Sequence, residues 1–203
     1  MGRRRQTQRP RVVTWRKAWR VEPLGAERWR DLAALFGPRG ACAGCWCMWW
    51  RLPQARWDAQ KGAKNRRAFE AVVRSGAPTG VLAYDGAAPV GWCAVAPRHD
   101  YIRLQKARTL APVDTAEVWS ITCFFVARVA RGRGLMRALI DGAVACARAS
   151  GARIVEAYPV DSAGELGDAF VFTGTPEPFL AAGFEEVARR SRTRPILRLR
   201  IAG

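Results

Sequence analysis

Arg131, Gly132, Arg133 and Gly134 stand between two strongly patterned stretches of the chain. Before them, Trp119–Val126 is an apolar run of β-branched and aromatic residues, which predicts a buried strand. After them, Leu135, Met136, Leu139, Ile140, Ala143, Val144 and Ala147 recur at the i, i+3, i+4 spacing of a helix with one apolar face. A strand that enters a helix through glycines leaves unpaired backbone N–H groups at the positive end of that helix, where phosphate binds. Arg131 and Arg133 add charge where a pyrophosphate would sit. The plain alternative is a crossover whose glycines only turn the chain and whose arginines are solvated. Arginines placed between a strand and a well-patterned helix favour the phosphate reading.

Two other phosphate motifs can be tested on the letters. No G-x-x-x-x-G-K-[S/T] run exists. A dinucleotide fingerprint would begin at Gly132, but Arg137 occupies the place of its third glycine. Glu156 stands at a ribose-binding distance downstream, yet the glycines do not follow the strand directly, so this reading is minor. A different chemistry is raised by Cys42-Ala-Gly-Cys45-Trp-Cys47, whose spacing is that of a metal site or redox pair. A closed zinc site takes four ligands, and the chain has one histidine, His99, and no second C-x-x-C. No metal is expected there. With Trp46, Trp49, Trp50 and Trp57 close by, the segment reads either as a wall of a substrate pocket or as plain packing. Cys93, Cys123 and Cys146 read as small core residues.

Val126 followed by Arg131-x-x-Gly134-x-Met136 resembles the acyl-CoA pyrophosphate loop of the GNAT superfamily of N-acyltransferases, Gln/Arg-x-x-Gly-x-Gly/Ala. Met136 departs from that pattern by its bulk, although its amide is kept. Phe179-Leu-Ala-Ala-Gly183-Phe184 is similar to the family's Tyr-x-x-x-Gly-Phe ending, and together the motifs span Trp119 to Val187. The resemblance implies acetyl-CoA as co-substrate, held by Phe125, Val126, Arg131, Gly132, Arg133, Gly134, Leu135 and Met136. It also implies that the primary amine of an acceptor, a small molecule or a protein amine, attacks the thioester directly in a ternary complex. The family often places its base on the strand before the loop, and by register that position is Ser120. Glu117 is the nearest acid, but period-2 alternation puts it on the opposite face. The family's thiolate acid is replaced by Phe179, which leaves Tyr158 as the nearby phenol, with Asp161, Thr173 and Thr175 following on the loop. Ser120, Glu117 and Tyr158 are therefore the candidate catalytic residues. A water-mediated proton route, with positioning supplying most of the rate, would need no strong base.

The elements that must position these residues follow in order. Helices are expected over Ala26–Phe36 and Asn65–Arg74, and a hairpin over Thr79–Tyr84 and Pro89–Val95 with Asp85-Gly86 at its turn. Pro97–Leu110 reads as a loop with one helical turn, placed to line the acceptor site. A strand over Arg153–Tyr158 completes a right-handed β-α-β unit. Pro159–Thr175 is a long irregular connection, Pro176–Ala182 a short helix, and Phe184–Arg190 and Pro195–Ile201 closing strands. The expected fold is α/β: a GNAT-like mixed, mostly antiparallel twisted sheet, helices on both faces, and one β-α-β crossover carrying the acyl-CoA loop. Residues 1–10, with Arg3, Arg4 and Arg5, are expected to be a basic disordered tail, and residues 11–203 a single domain.

Composition bounds the remaining classes. Lys+Arg 34 against Asp+Glu 17 gives a net charge of +17. Such a field attracts nucleic acid or an acidic ligand, and coenzyme A is one. The arginines are scattered and no element reads as a basic recognition helix, so nucleic acid is a possible but unfavoured partner. With no long apolar span and no secretory h-region, the expectation is a cytoplasmic protein without a membrane partner, monomeric or homodimeric. Two competing classes are a non-catalytic basic nucleic-acid-binding module and a metal or redox regulator built on Cys42, Cys45 and Cys47.

Overall fold

The structure is a computed structural model and describes residues 19–161 and 172–201. The expected basic tail and part of the long connection after Pro159 lie outside the described residues. Seven strands form one sheet in the order β1-β2-β3-β4-β5-β7-β6. They are β1 Arg20–Pro23, β2 Gly80–Asp85, β3 Ala88–Pro97, β4 Trp119–Val126, β5 Ile154–Ala157, β6 Glu185–Arg189 and β7 Pro195–Arg200. Every pairing is antiparallel except β4 with β5. That pair is parallel because a helix, α5 (Leu135–Ala149), carries the chain from one strand to the next.

Helix α5 covers one face of the sheet. Its Leu135, Leu139, Ile140, Ala143 and Ala147 are buried among Val81, Ala83, Cys93, Val95, Ile121, Val155 and Leu197. Burying a leucine such as Leu139 is worth about 2–3 kcal/mol. The apolar repeat that predicts the helix is thus the repeat that seats it. The opposite face carries α1 (Trp29–Phe36) and α3 (Ala63–Arg74), whose Trp29, Phe36 and Phe69 meet Trp46 and Trp92 in an aromatic cluster. A third cluster on this face, with Tyr101, Leu104, Leu110, Tyr158 and Ile196, lies under the connection from β3 to β4.

One short helix departs from the expected order and another fulfils it. Helix α2 (Gln54–Gln60) buries only Trp57 and so leaves no periodic signature in the sequence. Helix α4 (Ile102–Lys106) is the helical turn expected in the Pro97–Leu110 loop, flanked by 3-10 turns at Arg98–Asp100 and Arg108–Leu110. The short helix near the C-terminus is α6, Pro176–Leu180, opened by a proline whose missing N–H costs nothing in the first turn.

One irregularity sets up the site. Strand β4 pairs with β5 only through Trp119, Ser120 and Ile121, opposite Val155, Glu156 and Ala157. Beyond Ile121, β4 runs on to Val126 while β5 ends, so the two central strands part. At the same place the β3–β4 register slips between Ala94 and Val95, which leaves Thr122 without an opposite residue, as in a β-bulge.

Candidate active site

The mouth of the fork opens onto the Gly-rich turn. Arg131, Gly132, Arg133 and Gly134 are all exposed, and α5 begins at the next residue. Gly134 caps the helix in the left-handed region at φ 77°, and among the described residues no side chain caps the first turn. The N–H groups of that turn are therefore available to an anion. Leu135 anchors the turn by its buried side chain, and Met136 is half-buried against the same core. Arg131 donates from Nε to the Val126 carbonyl at 3.3 Å, which ties the turn back to the end of β4. Arg133 ion-pairs with Asp85 at 3.5 Å and lies over the Trp19 ring.

Along the fork, alternation decides which backbone groups face the gap. Phe124 donates its N–H to the Phe172 carbonyl at 2.7 Å, so its backbone points away from β3. The backbone of Phe125, one residue on, turns toward β3, where it sits opposite Trp92, and its ring packs on Phe36. The gap-facing backbone groups are those of Phe124 and Val126, while those of Phe125 face β3. The Thr122 carbonyl is also engaged, accepting from the Trp50 indole at 3.0 Å.

At the closed end of the fork the sheet brings Ser120 and Tyr158 together. Tyr158 donates its phenolic proton to Glu156 Oε2 at 2.7 Å. Its oxygen accepts from Arg98 Nη1 at 2.7 Å and lies 2.9 Å from Ser120 Oγ. With the single phenolic proton committed to Glu156, the serine is the donor in that last contact. Burial, together with the Glu156 carboxylate, holds the phenol well above its usual pKa. Glu156 is itself buried and receives Arg198 through Nε and Nη2, while Arg198 also reaches Asp114. This answers the ribose-binding reading of Glu156: the carboxylate is consumed inside the sheet. Glu117 stands apart, exposed on the approach to β4.

Sequence reasoning missed the hub. Glu156, Arg98 and Arg198 come from three separate elements and share no spacing that marks them. The one available signal was a charged residue inside an otherwise apolar strand, Ile154–Ala157.

The Cys42–Trp50 segment packs as turns against the sheet. Cys42 is exposed, Cys45 half-buried and Cys47 buried, with the Trp92 indole donating to Cys47 Sγ at 3.0 Å. The cysteines are free thiols, and no group of three or more His, Cys, Asp or Glu side chains among the described residues is placed to hold a metal. Burial, then Cys47, pushes the Cys45 thiol up to about 11. Ala43, Trp46 and Cys47 all have positive φ, so the segment holds backbone strain of the kind found at functional sites. Trp49 and Trp50 continue into an open hollow of about 420 Å³, shared with Pro53, Gln54 and α4. Beside the bulge, Thr122 Oγ1 and the Tyr101 hydroxyl are both buried without a hydrogen bond of good geometry among the described residues.

No helix among the described residues is long and apolar enough to cross a membrane. The acetyltransferase (GNAT) family model matches residues 46–165, more than half of the chain. Many solved structures share the fold, three of them as follows. The histone acetyltransferase HPA2 and related acetyltransferase from Corynebacterium glutamicum is 16% identical, covers 92% of this chain and 98% of its own, and gives a TM-score of 0.55. The polyamine N-acetyltransferase of Drosophila melanogaster is 12% identical over 91% of this chain and 100% of its own, at 0.53. The putative acetyltransferase yncA of Salmonella typhimurium, solved with acetyl-CoA, is 12% identical over 92% and 95%, at 0.52. No curated protein sequence matches the chain.

Proposed function

The chain belongs to the GNAT acetyltransferase family, and on that premise we propose that it moves the acetyl group of acetyl-CoA to a primary amine by direct attack in a ternary complex. It is an acyl-CoA N-acetyltransferase, and acetyl-CoA is its co-substrate. In this reading the pyrophosphate takes the free N–H groups of the Gly132–Met136 turn, with Arg131 and Arg133 alongside. The pantetheine arm lies in the fork as an added strand on the backbone of Phe124 and Val126, competing with Phe172 for the Phe124 N–H. The observation that carries the proposal is the parting of β4 from β5 after Ile121, in line with an exposed Gly-rich turn at a helix N-terminus.

The neutral amine attacks the thioester carbonyl, a C–N bond forms and the C–S bond breaks. The amine's extra proton ends on the departing thiolate, giving the N-acetyl product and CoA–SH. Tyr158 and Ser120 hold the apex of the fork and do not carry that proton. The phenol's proton is committed to Glu156, and both its lone pairs are occupied. Water relays the proton, and positioning supplies most of the rate. Glu117, exposed and outside the fork, takes no part.

Thermal melting with acetyl-CoA, with NAD and pyrophosphate as charge controls and Arg131→Glu alongside, tests the reading. A ligand at 100 Kd adds about 2.7 kcal/mol, a rise of roughly 5–10 °C for a chain of this size. The expected result is that rise with acetyl-CoA alone and its loss in Arg131→Glu. An equal response to every polyanion would overturn the site and leave only the +17 field.

A further inference from the structure

The hollow beside the fork has a composition of its own. Its lining includes Trp49, Trp50, Ile102, Arg103 and Lys106, and no acidic residue. Arg103 stacks on the Trp49 ring, its guanidinium carbon 3.6 Å from the centroid. Its Nε and Nη1 are anchored on the Leu52 carbonyl and Gln54 Oε1. Its Nη2 is buried and makes no hydrogen bond among the described residues. A guanidinium fixed at one edge on the wall of an open hollow presents its positive charge there to a carboxylate. Lys106, exposed on the next turn of α4, adds a second cation. Asp58, the carboxylate whose charge is felt by Arg103, lies outside the lining and is hydrogen-bonded by Gln54 and ion-paired with Lys61.

The hollow also connects to the chemistry. Trp50 is the shared wall: its carbonyl accepts from the Arg103 N–H at 3.1 Å, and its indole donates to the Thr122 carbonyl at the β4 bulge. Ile102 presents an exposed apolar side chain, 37% accessible, on the same rim. A molecule lying along Trp50 would therefore hold an anion at Arg103 and Lys106, press an apolar body on the indole, and point its other end toward the bulge.

We propose that the acetyl acceptor is a small primary amine bearing a carboxylate and an apolar or aromatic body, bound by Arg103, Lys106 and Trp50. This rests on the acetyltransferase reading above and narrows it: polyamines and aminoglycosides, which bring only positive charge, are excluded by a wall with two cations and no acid. The product is the N-acetyl acid, with CoA–SH released.

The test pairs L-phenylalanine with phenethylamine, which differ by the carboxylate, and adds spermidine and a lysine peptide as competitors. Each is assayed for CoA release with acetyl-CoA, and L-phenylalanine and phenethylamine are also titrated by calorimetry without it. Expected is a kcat/KM for L-phenylalanine at least about tenfold above phenethylamine. In Lys106→Glu, KM for L-phenylalanine should rise about five- to tenfold with kcat kept. Because Lys106 is exposed, that variant folds even where Arg103→Gln loosens the Leu52 and Gln54 anchors. Preference for phenethylamine, spermidine or the peptide overturns the acceptor class while leaving the acetyltransferase intact. So does a Lys106→Glu enzyme with unchanged preference. Should acetyl-CoA itself fail to bind, calorimetry still decides the hollow: L-phenylalanine binding weakened in Lys106→Glu supports it, and no binding overturns it.

Discussion

Replacing Tyr158 by phenylalanine separates architecture from proton transfer at the apex of the fork. The ring stays and only the hydroxyl goes, so no cavity of consequence forms. Three contacts are lost: the bond to Glu156 at 2.7 Å, the bond from Arg98 at 2.7 Å and the contact with Ser120 at 2.9 Å. Two of them involve charged partners in a site where Tyr158 is 0% and Glu156 1% exposed, so water does not replace them cheaply. A buried hydrogen bond to a charged group is worth about 1.5–3 kcal/mol. The surviving Arg98–Glu156 ion pair at 3.6 Å and the Arg198 bonds to Glu156 offset part of the loss. The net expectation is a destabilisation of about 3 kcal/mol, a melting point lower by roughly 6–12 °C. Urea titration reads this as a lower midpoint with unchanged slope. Below the lowered melting point, kcat should stay within about threefold, because positioning rather than proton donation is at stake. A kcat loss of about a hundredfold or more, with little change in midpoint, would mean that the phenol does carry the proton. The hydrogen-bond assignment above would then be wrong.

Other perturbations follow from the same geometry. Gly134→Val places a branched side chain at φ 77° in the Gly-rich turn; it should cost about 1–2 kcal/mol and raise the acetyl-CoA KM without abolishing turnover, as steady-state kinetics would show. Gly142, on the face of α5 toward β1, has no room for a side chain: an added Cβ would lie 2.4 Å from Val21 Cγ1. Gly142→Val should therefore destabilise by about 2 kcal/mol or more in urea, despite the general cost of glycine in a helix. Alkali should also weaken the fold. The Cys45 thiol is raised from 9.0 to about 11 and the Tyr101 phenol from 10.0 to about 12, both chiefly by burial. A group whose folded pKa is raised contributes fully below its unfolded pKa and loses that contribution as pH climbs through the folded one. The melting point should thus fall between about pH 9 and 12, and a flat profile there would show that neither group is buried as described. Alkylation at pH 8 should label exposed Cys42 well before Cys45, read by peptide mass mapping.

Much of this protein is written locally. The strand Trp119–Val126, the turn Arg131–Gly134 and the apolar face of Leu135–Ala147 are recognisable because each depends on neighbours within a turn or two of the chain. The hairpin of β2 and β3 is legible for the same reason, since Asp85-Gly86 closes it directly. Helix α2 was not, because one buried residue, Trp57, seats it and one residue makes no period.

The apex of the fork belongs to the other category. Ser120 was reachable by counting back from the loop, but its partner network was not: Arg98 lies 60 residues from Tyr158, and Arg198 lies 42 from Glu156. Spacing along a chain does not encode which side chains meet across a sheet; pairing and register do. Three pairings therefore decided what the letters left open. The parallel register of β4 on β5 put Ser120 opposite Glu156 and ended at Ile121, which made the fork. The slip between β3 and β4 put Thr122 in a bulge beside it. The pairing of β5 with β7 set Arg198 opposite Glu156, turning a lone acid in an apolar strand into the centre of a buried network. The sequence by itself determined the strand, Gly-rich turn and helix that run from Trp119 to Ala149, because the three are contiguous. Only the tertiary structure decided the apex and the hollow lined by Trp49, Trp50 and α4, because their residues are brought together by sheet order and by the packing of Trp50 against β4.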